Sequence, residues 1–346
     1  MKPEATETIW RDGAVRLELS PFVSDEWLDY VTAVWFGDAA RRYQRRNVRE
    51  QVARFENPRF LSLRYAGKLI GTYLIDLQSL SCDGQPVTGF YRGLLAVDAT
   101  FRSQHLGSAI TDAALEWIRQ QTTSGATLTY GCIDEHNKRS ITLLTERGMQ
   151  SLAVLRQRLF YRQFKRQPLA TARVTEGLTD NALADLTASS EHTVTPASWR
   201  YGNWITVDDN STRRIAARFA VNELALAPMT GITGFVINRL MPLFPPGRRR
   251  FNPHAFRYIS ISDPVNGAGP KASWDALIEH LMVIHDCHFV CLISDAEDPS
   301  GNALLDSGAL GGKARDKAST IGIFGQWLNA LERPDDIRFR LAARDL

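Results

Sequence analysis

The sequence predicts an α/β (α+β) protein of two domains in tandem, each a mixed, largely antiparallel sheet flanked by helices. Three observations predict it. The chain has 346 residues, more than one ordinary domain fills and enough for two hydrophobic cores. In the first half, β-rich runs separated by Ala-Gly and Asp-Gly turn signals lead into an alternation of helix and strand patterns. In the second half, "FRYISISDPV", "WDALIEHLMVI" and "HFVCLISDAEDP" repeat the strand–helix–strand order of residues 90–134.

Taken in order, "VRLELSP" (15–21) alternates as a strand does, and "DEWLDYVTAVWF" and "AARRYQRRNVREQVARF" carry helical spacing. "RFLSLRYAG", "KLIGTYLIDLQSLSCDG" and "VTGFYRGLLAV" then read as an antiparallel meander. A helix over 104–120 places Leu106, Ile110, Ala113, Ala114 and Trp117 on one face. "ATLTYGCID" reads as a strand, "NKRSITLLTERG" as a helix stopped by Gly148, and "SLAVLRQRLFYRQF" as one or two strands. The polar "FKRQPLA" (164–170) serves as a linker, which divides the chain into domains 1–166 and 167–346. "RVTEGLTDNALADLTA" (173–188) repeats the spacing of residues 16–33, so a divergent internal duplication is the preferred origin. Residues 200–255 show no clean period.

The net charge of +3 is too small to indicate a nucleic-acid or membrane partner. No run of 18 apolar residues occurs and "MKPEATETIW" has no apolar signal core, so a cytoplasmic location is expected. The 4 cysteines, Cys82, Cys132, Cys287 and Cys291, form no disulfide framework. "HDCHFVC" gathers His285, Cys287, His288 and Cys291, but residues 288–293 read as a strand, which turns neighbouring side chains to opposite faces. No metal is expected.

The stretch that carries chemistry is "VDATFRSQHLGSAITDAALEWI" (97–118), where an apolar strand runs through a short polar loop into an amphipathic helix. The start of a helix leaves backbone N–H groups unpaired and carries partial positive charge, so it suits phosphate oxygens. Gly107 lets the backbone approach such a ligand, and Arg102 adds a full charge. This stretch resembles the acyl-CoA-binding motif of the GNAT superfamily of N-acyltransferases: Gln or Arg, two residues, Gly, one residue, then Gly or Ala. Arg102 and Gly107 fit its ends, and His105 stands in place of the first glycine. A second resemblance lies downstream, where Asn137 opens a helix ending "LLTERGM", with Met149 where the family has an aromatic residue. Together these cover residues 15 to about 165; the second half has "NGAGPKASW" at the corresponding junction and lacks the motif.

The resemblance implies an acyl-CoA co-substrate, acetyl-CoA in the commonest case. Arg102, Ser103, Gln104, His105, Leu106, Gly107 and Ser108 would hold its pyrophosphate. The main chain of Leu95, Ala96 and Val97 would pair with pantetheine and serve the thioester carbonyl, and Asn137 would border the cofactor. It further implies a tyrosine as general acid four residues before Gly148, and that position is Leu144. Where many members carry a basic glutamate this chain has Tyr91, a poor base at neutral pH with its usual pKa of about 10. "DEHN" (134–137) offers Asp134, Glu135 and His136 beside the expected thioester; Tyr91 and Glu135 are the catalytic candidates. The same residues also suit an ordinary polar connection, and Cys132 suits a strand filler.

Two basic clusters bear on the acceptor. Arg41, Arg45 and Arg49 fall at helical i, i+4 spacing and suit either a carboxylate-bearing acceptor or a solvated helix face. "PPGRRRF" (245–251) suits phosphates, an acidic partner or a surface loop. The function expected is transfer of an acyl group, by default acetyl, to the amine of a small metabolite or amino-acid-like acceptor held between two domains. The alternatives are a non-catalytic acyl-CoA-binding protein and an aminoacyl-tRNA-dependent transferase.

Overall fold

In a computed structural model of the chain, the described residues are 6–37, 42–122, 125–161, 173–177, 193–196, 203–208, 215–227, 252–296, 298–310, 312–313, 319–329 and 338–339. The first half runs β1 (Glu7–Asp12), β2 (Val15–Ser20), α1 (Asp25–Ala33), β3 (Tyr43–Arg45), α2 (Val48–Val52), β4 (Pro58–Tyr65), β5 (Lys68–Cys82) and β6 (Gln85–Val97). A 3₁₀ turn (Ala99–Gln104), α3 (Leu106–Gln121), β7 (Thr127–Asp134), α4 (Lys138–Thr145) and β8 (Gln150–Tyr161) follow. The second half supplies β9 (Arg173–Glu176), β10 (Thr193–Pro196), β11 (Trp204–Asp208), β12 (Ile215–Leu226), β13 (Phe256–Val265) and α5 (Lys271–Ile284). It continues through β14 (Phe289–Asp295), α6 (Pro299–Asp306), β15 (Gly312–Lys313), β16 (Ser319–Leu328) and β17 (Arg338–Phe339).

Local chemistry accounts for the helices. Ser24 caps α1 by accepting from the Trp27 N–H at 3.2 Å, and Trp27, Leu28 and Val31 form its buried face. Along α3 the buried residues Leu106, Ile110, Ala114, Leu115, Trp117 and Ile118 recur at helical spacing. The expected helix over residues 39–55 is corrected. Tyr43–Arg45 is a strand paired with Leu224–Leu226 of β12, and only Val48–Val52 is helical. A strand partner far along the chain overrides the local helical period here. The single arginine face expected there does not form: Arg45 lies on the strand, Arg49 on α2, and Arg41 falls outside the described residues. The linker 164–170, the helix expected near 179–188 and the basic 245–251 stretch also lie outside them.

One sheet runs through both halves. Strands β1, β2, β4, β5 and β6 pair antiparallel in sequence of contact, and β6 pairs parallel with β7. In the second half β9, β11, β12 and β13 pair antiparallel, and β13 pairs parallel with β14. The halves meet by exchanging one strand each. β16, from the second half, lies between β7 and β8; β8, from the first half, lies against β14. One hydrophobic cluster therefore holds Trp27, Tyr91 and Tyr130 together with Cys291, Ile293, Ile323 and Trp327. It lies on the α1–α2 face of the first half's sheet, and a second cluster under α3 and α4 covers the other face. No helix among the described residues is long and apolar enough to cross a membrane.

Candidate functional site

The site is a place where two parallel strands part. β6 and β7 are paired only from Thr88–Tyr91 to Thr127–Tyr130, while β6 continues to Val97. Beyond Tyr91, the sheet pairing of β6 is to β5, through Gly93–Leu74, Ala96–Thr72 and Val97–Gly71. The register slips between Thr72 and Leu74, and Leu94 takes a left-handed φ of +54° at that bulge. A non-glycine residue in that region carries backbone strain, which concentrates at functional sites. The edge of Leu95–Val97 that faces the parting strands can accept an extended ligand as a strand accepts a neighbour.

At the open end of the cleft the chain turns into α3. Asp98 fastens the turn: its N–H donates to the Ile70 carbonyl at 2.8 Å, and its Oδ1 accepts from the Thr100 N–H at 2.9 Å and hydroxyl at 2.8 Å. Arg102, Ser103 and Gln104 lie on the 3₁₀ turn; the side chains of Arg102 and Ser103 fall outside the described set. His105 follows at φ +56°, ψ +16°, and its side chain caps none of the helix N–H groups. A right-handed turn followed by a left-handed residue makes a concave nest of N–H groups, an anion-binding form. The left-handed φ also explains why the resembled pattern has glycine here: a side chain at this position is strained. A Cβ built on Gly107 would meet nothing within 4 Å, so packing does not require this glycine. The opening above it fits a ligand that must approach the backbone closely. Leu106 is buried under α3, and Ser108 accepts a hydrogen bond from Arg147.

Arg147, which the sequence did not single out, ties α4 to this junction. Its guanidinium donates to Asp112 at 2.5 and 2.8 Å, to the Leu143 carbonyl at 2.8 Å, and to the Ser108 hydroxyl. The Asp112 hydrogen bond keeps its pKa raised against the opposing effect of burial. Because Ser108 Oγ accepts from Arg147, its hydroxyl proton is directed elsewhere and can donate to an anion.

Tyr91 sits at the point where the strands part. It stacks on Phe55 at 5.8 Å and meets Tyr130 edge-on at 5.7 Å. A Cβ on Gly93 would lie 2.8 Å from the Tyr91 hydroxyl, so this bare glycine lets the phenol lie along the strand at the bulge. A buried chain runs beside it, unmarked by any sequence pattern. Asp76, opposite Tyr91, accepts from the Asn57 N–H at 2.8 Å and the Gln78 amide at 2.8 Å; Gln78 accepts from the Tyr130 hydroxyl at 2.6 Å. Arg45 adds a cation near the same place: burial opposes its charge, yet its pKa stays raised among its neighbours Tyr43, Tyr91 and Tyr258. Burial pushes the Tyr258 phenol up and the Cys291 thiol up to about 12, so both stay neutral.

Glu135 and Tyr91 are not brought together. Glu135 is five residues along β7's course from Tyr130, at the exposed mouth, where its Oε1 is 3.7 Å from His136 Nδ1. Asn137 is the cap of α4: its Oδ1 accepts from the Ser140 N–H at 3.2 Å. Leu144 is buried under α4. Cys287 and Cys291 are buried, and among the described residues no three His, Cys, Asp or Glu gather closely enough to share a metal ion.

Residues 21–149 match the acetyltransferase (GNAT) family. This half of the chain is a GNAT domain. The whole chain is similar in fold to Saccharomyces cerevisiae N-myristoyltransferase with bound myristoyl-CoA, at 8% identity and TM-score 0.56, covering 92% of this chain and 84% of that one. It is also similar to a tandem GNAT protein from the clavulanic acid biosynthesis pathway, at 12% identity and TM-score 0.52, covering 90% of this chain and 98% of that one. No curated protein sequence matches the chain. The tandem GNAT fold thus spans both halves.

Proposed function

We propose that this GNAT protein moves an acyl group, acetyl by default, from acyl-CoA to the amine of a small metabolite or amino-acid-like acceptor. The observation that carries the proposal is the junction after β6: a left-handed His105 beginning a nest of N–H groups, with open space over Gly107. Residues 102–108 would receive the pyrophosphate, with Ser108 donating its hydroxyl. The main chain of Leu95–Val97 would pair with the pantetheine arm, leaving the thioester near the bulge at Leu94. The amine would enter from the face covered by α1 and α2, where Tyr91 and the Asp76–Gln78–Tyr130 chain lie.

In the reaction the amine lone pair forms a C–N bond at the thioester carbon, and the carbonyl π electrons move to oxygen. When they return, the C–S bond breaks and its electron pair leaves on sulfur. The nitrogen gives its proton to water or a nearby base. Backbone N–H groups at the bulge would support the charge on oxygen. Tyr91 would hold the attacking amine or a water; Glu135, at the mouth, would take part only through water. Asn137 would face the same mouth with its amide NH₂. The domain boundary is proposed at 166/167, with one strand of each unit, β8 and β16, lent to the other.

Leu144 favours a second reading, a protein that binds acyl-CoA without turning it over. Calorimetric titration with acetyl-CoA and CoA, followed by a screen of amines for thiol release, separates the two. One site per chain with thiol release on some amine supports the transferase. Binding without release on any amine supports the second reading, and no binding of either ligand overturns both. An aminoacyl-tRNA-dependent transferase would then take their place.

A further inference from the structure

The residue that the mechanism above leaves unused is Arg92. It is the first β6 residue beyond the last β6–β7 pair, so it stands at the vertex of the cleft. It is only 3% exposed, and its side chain lies on the α3–α4 side with Tyr73 and Met149. Its guanidinium reaches the Met149 sulfur at 2.6 Å and the Tyr73 hydroxyl at 3.4 Å, and its Nε has no hydrogen-bond partner. Among the described residues no carboxylate comes within ion-pair distance of it. A buried cation surrounded by a thioether and a phenol is costly, because neither returns the solvation that burial removes. Such a group is a candidate to receive an anion during function.

Its position indicates which anion. The Met149 N–H donates to the Leu144 carbonyl at 3.2 Å, so the guanidinium lies against the segment where the resembled family carries its acidic tyrosine. On β7 the facing residue is Gly131, whose missing side chain lets the two strands stay close here, since a Cβ there would sit 2.8 Å from the Arg92 carbonyl oxygen; the gap opens beyond this point. From Val97 to Arg92 the strand runs about 16 Å at its usual rise, the reach of an extended pantetheine arm laid along it from the phosphate junction. We propose that Arg92, held by Tyr73, receives the CoA sulfur and stabilises it as a thiolate when the C–S bond breaks, in place of protonation by a tyrosine. This rests on the acyl-CoA reading of the same cleft. The sulfur leaves with the bonding pair, stays unprotonated against the guanidinium, and takes its proton from solvent on release.

The test uses the full chain, with CoA and S-methyl-CoA as probes and no acceptor. CoA affinity is measured by calorimetry from pH 6.5 to 9.5, and bound thiolate by its ultraviolet absorbance. The wild-type protein should bind CoA about tenfold more tightly at high pH for each unit by which it lowers the pKa of the CoA thiol below its free value. S-methyl-CoA carries the same phosphates and cannot ionise at sulfur, so its affinity should lack that rise. Arg92→Gln should abolish the rise for CoA and leave S-methyl-CoA binding within about twofold, and Arg92→Lys should restore part of it. A wild-type protein that binds both probes with the same pH profile overturns the proposal, as does an Arg92→Gln protein that keeps the rise. If Arg92→Gln does not fold, Arg92→Lys decides: a rise equal to the wild type's overturns the proposal and a reduced one supports it. Failure of the wild type to bind either probe overturns the acyl-CoA reading itself.

Discussion

Two strand-to-helix junctions stand at matching places in the two halves, and the chain treats them in opposite ways. The surroundings correspond closely. β6 has a bulge with Leu94 at φ +54°, and β13 has one with Asp263 at φ +50°. β6 runs parallel to β7 over Thr88–Tyr91, and β13 to β14 over Ile259–Ile261. Asn137 caps α4 and Asp298 caps α6, each donating its own N–H to an aspartate carbonyl three residues back. Yet a Cβ on Gly107 would meet open space, whereas one on Gly267 would lie 1.7 Å from the Ser300 carbonyl oxygen. In the second half α6 has moved onto the junction, and Gly301 makes this possible: a Cβ there would be 2.7 Å from Ser294 Cβ. Counting from the caps, Ser140 holds that place in α4. The same scaffold leaves an open gap or a packed core according to whether its own next helix fills it.

The largest effect is expected where the halves depend on each other. Ile323, fully buried on β16, sits between β7 and β8; Ile323→Asp should cost about 4 kcal/mol or more, as an unpaired charge in a core does. Because β16 belongs to the first half's sheet, CoA binding and the second half's fold should fail together in one thermal transition. Two separate transitions, with CoA binding kept, would show that the exchanged strand is dispensable. Next come the glycines of the two junctions, Gly107 in the first turn of α3 and Gly267 four residues before α5. Gly267→Ala should lower stability by about 1–3 kcal/mol, since backbone must shift to admit the methyl group. Gly107→Leu should leave the melting temperature within a few degrees and abolish acetyl-CoA binding. If Gly107→Leu binds normally, the open junction is not the phosphate site.

A smaller effect is expected at His105. Replacing it by glycine removes a left-handed strain of about 1–2 kcal/mol but adds unfolded-chain entropy, for a net gain of about 0.5–1 kcal/mol. Calorimetry should show acetyl-CoA affinity kept or raised; a marked loss would mean that the histidine side chain itself binds the ligand. The smallest concerns α1, which covers the face proposed to admit the acceptor. Glu26 has its pKa lowered chiefly by its hydrogen bond from Arg64, at 2.7 Å, although burial opposes the shift. A carboxylate with a depressed folded-state pKa adds stability above its unfolded value, and that contribution fades as pH falls through the folded pKa. Glu26→Gln should therefore be slightly less stable than wild type at pH 7, with the difference vanishing in acid. Both groups are partly exposed, so salt should shrink it as well.

Much of the fold and part of the site are legible without coordinates, because they rest on local chemistry. The meander, α3 with its apolar face and α4 with its Asn137 cap follow from periodicity and capping. Arg102, His105 and Gly107 stand out through their spacing at a helix start. What the sequence does not reveal depends on partners distant in the chain. The apparent helix over the Arg41–Arg49 stretch is pulled into a strand by β12. Asp76, Gln78 and Tyr130 are three ordinary positions on two strands until the sheet sets them side by side. Arg92 looks like any strand arginine until Met149 closes over it.

The sequence by itself determined most of the helices, which residues open α3, and that the motif of residues 97–108 occurs in one half and not in the other. Spacing, capping and backbone freedom act over a few residues, so they are written locally. Only the tertiary structure decided that the halves exchange β8 and β16, that α6 fills the gap in the second half, and that a buried arginine stands at the vertex of the gap in the first. Strands of similar composition carry no local mark of the neighbour they will choose; burial of shared apolar surface between distant segments makes that choice.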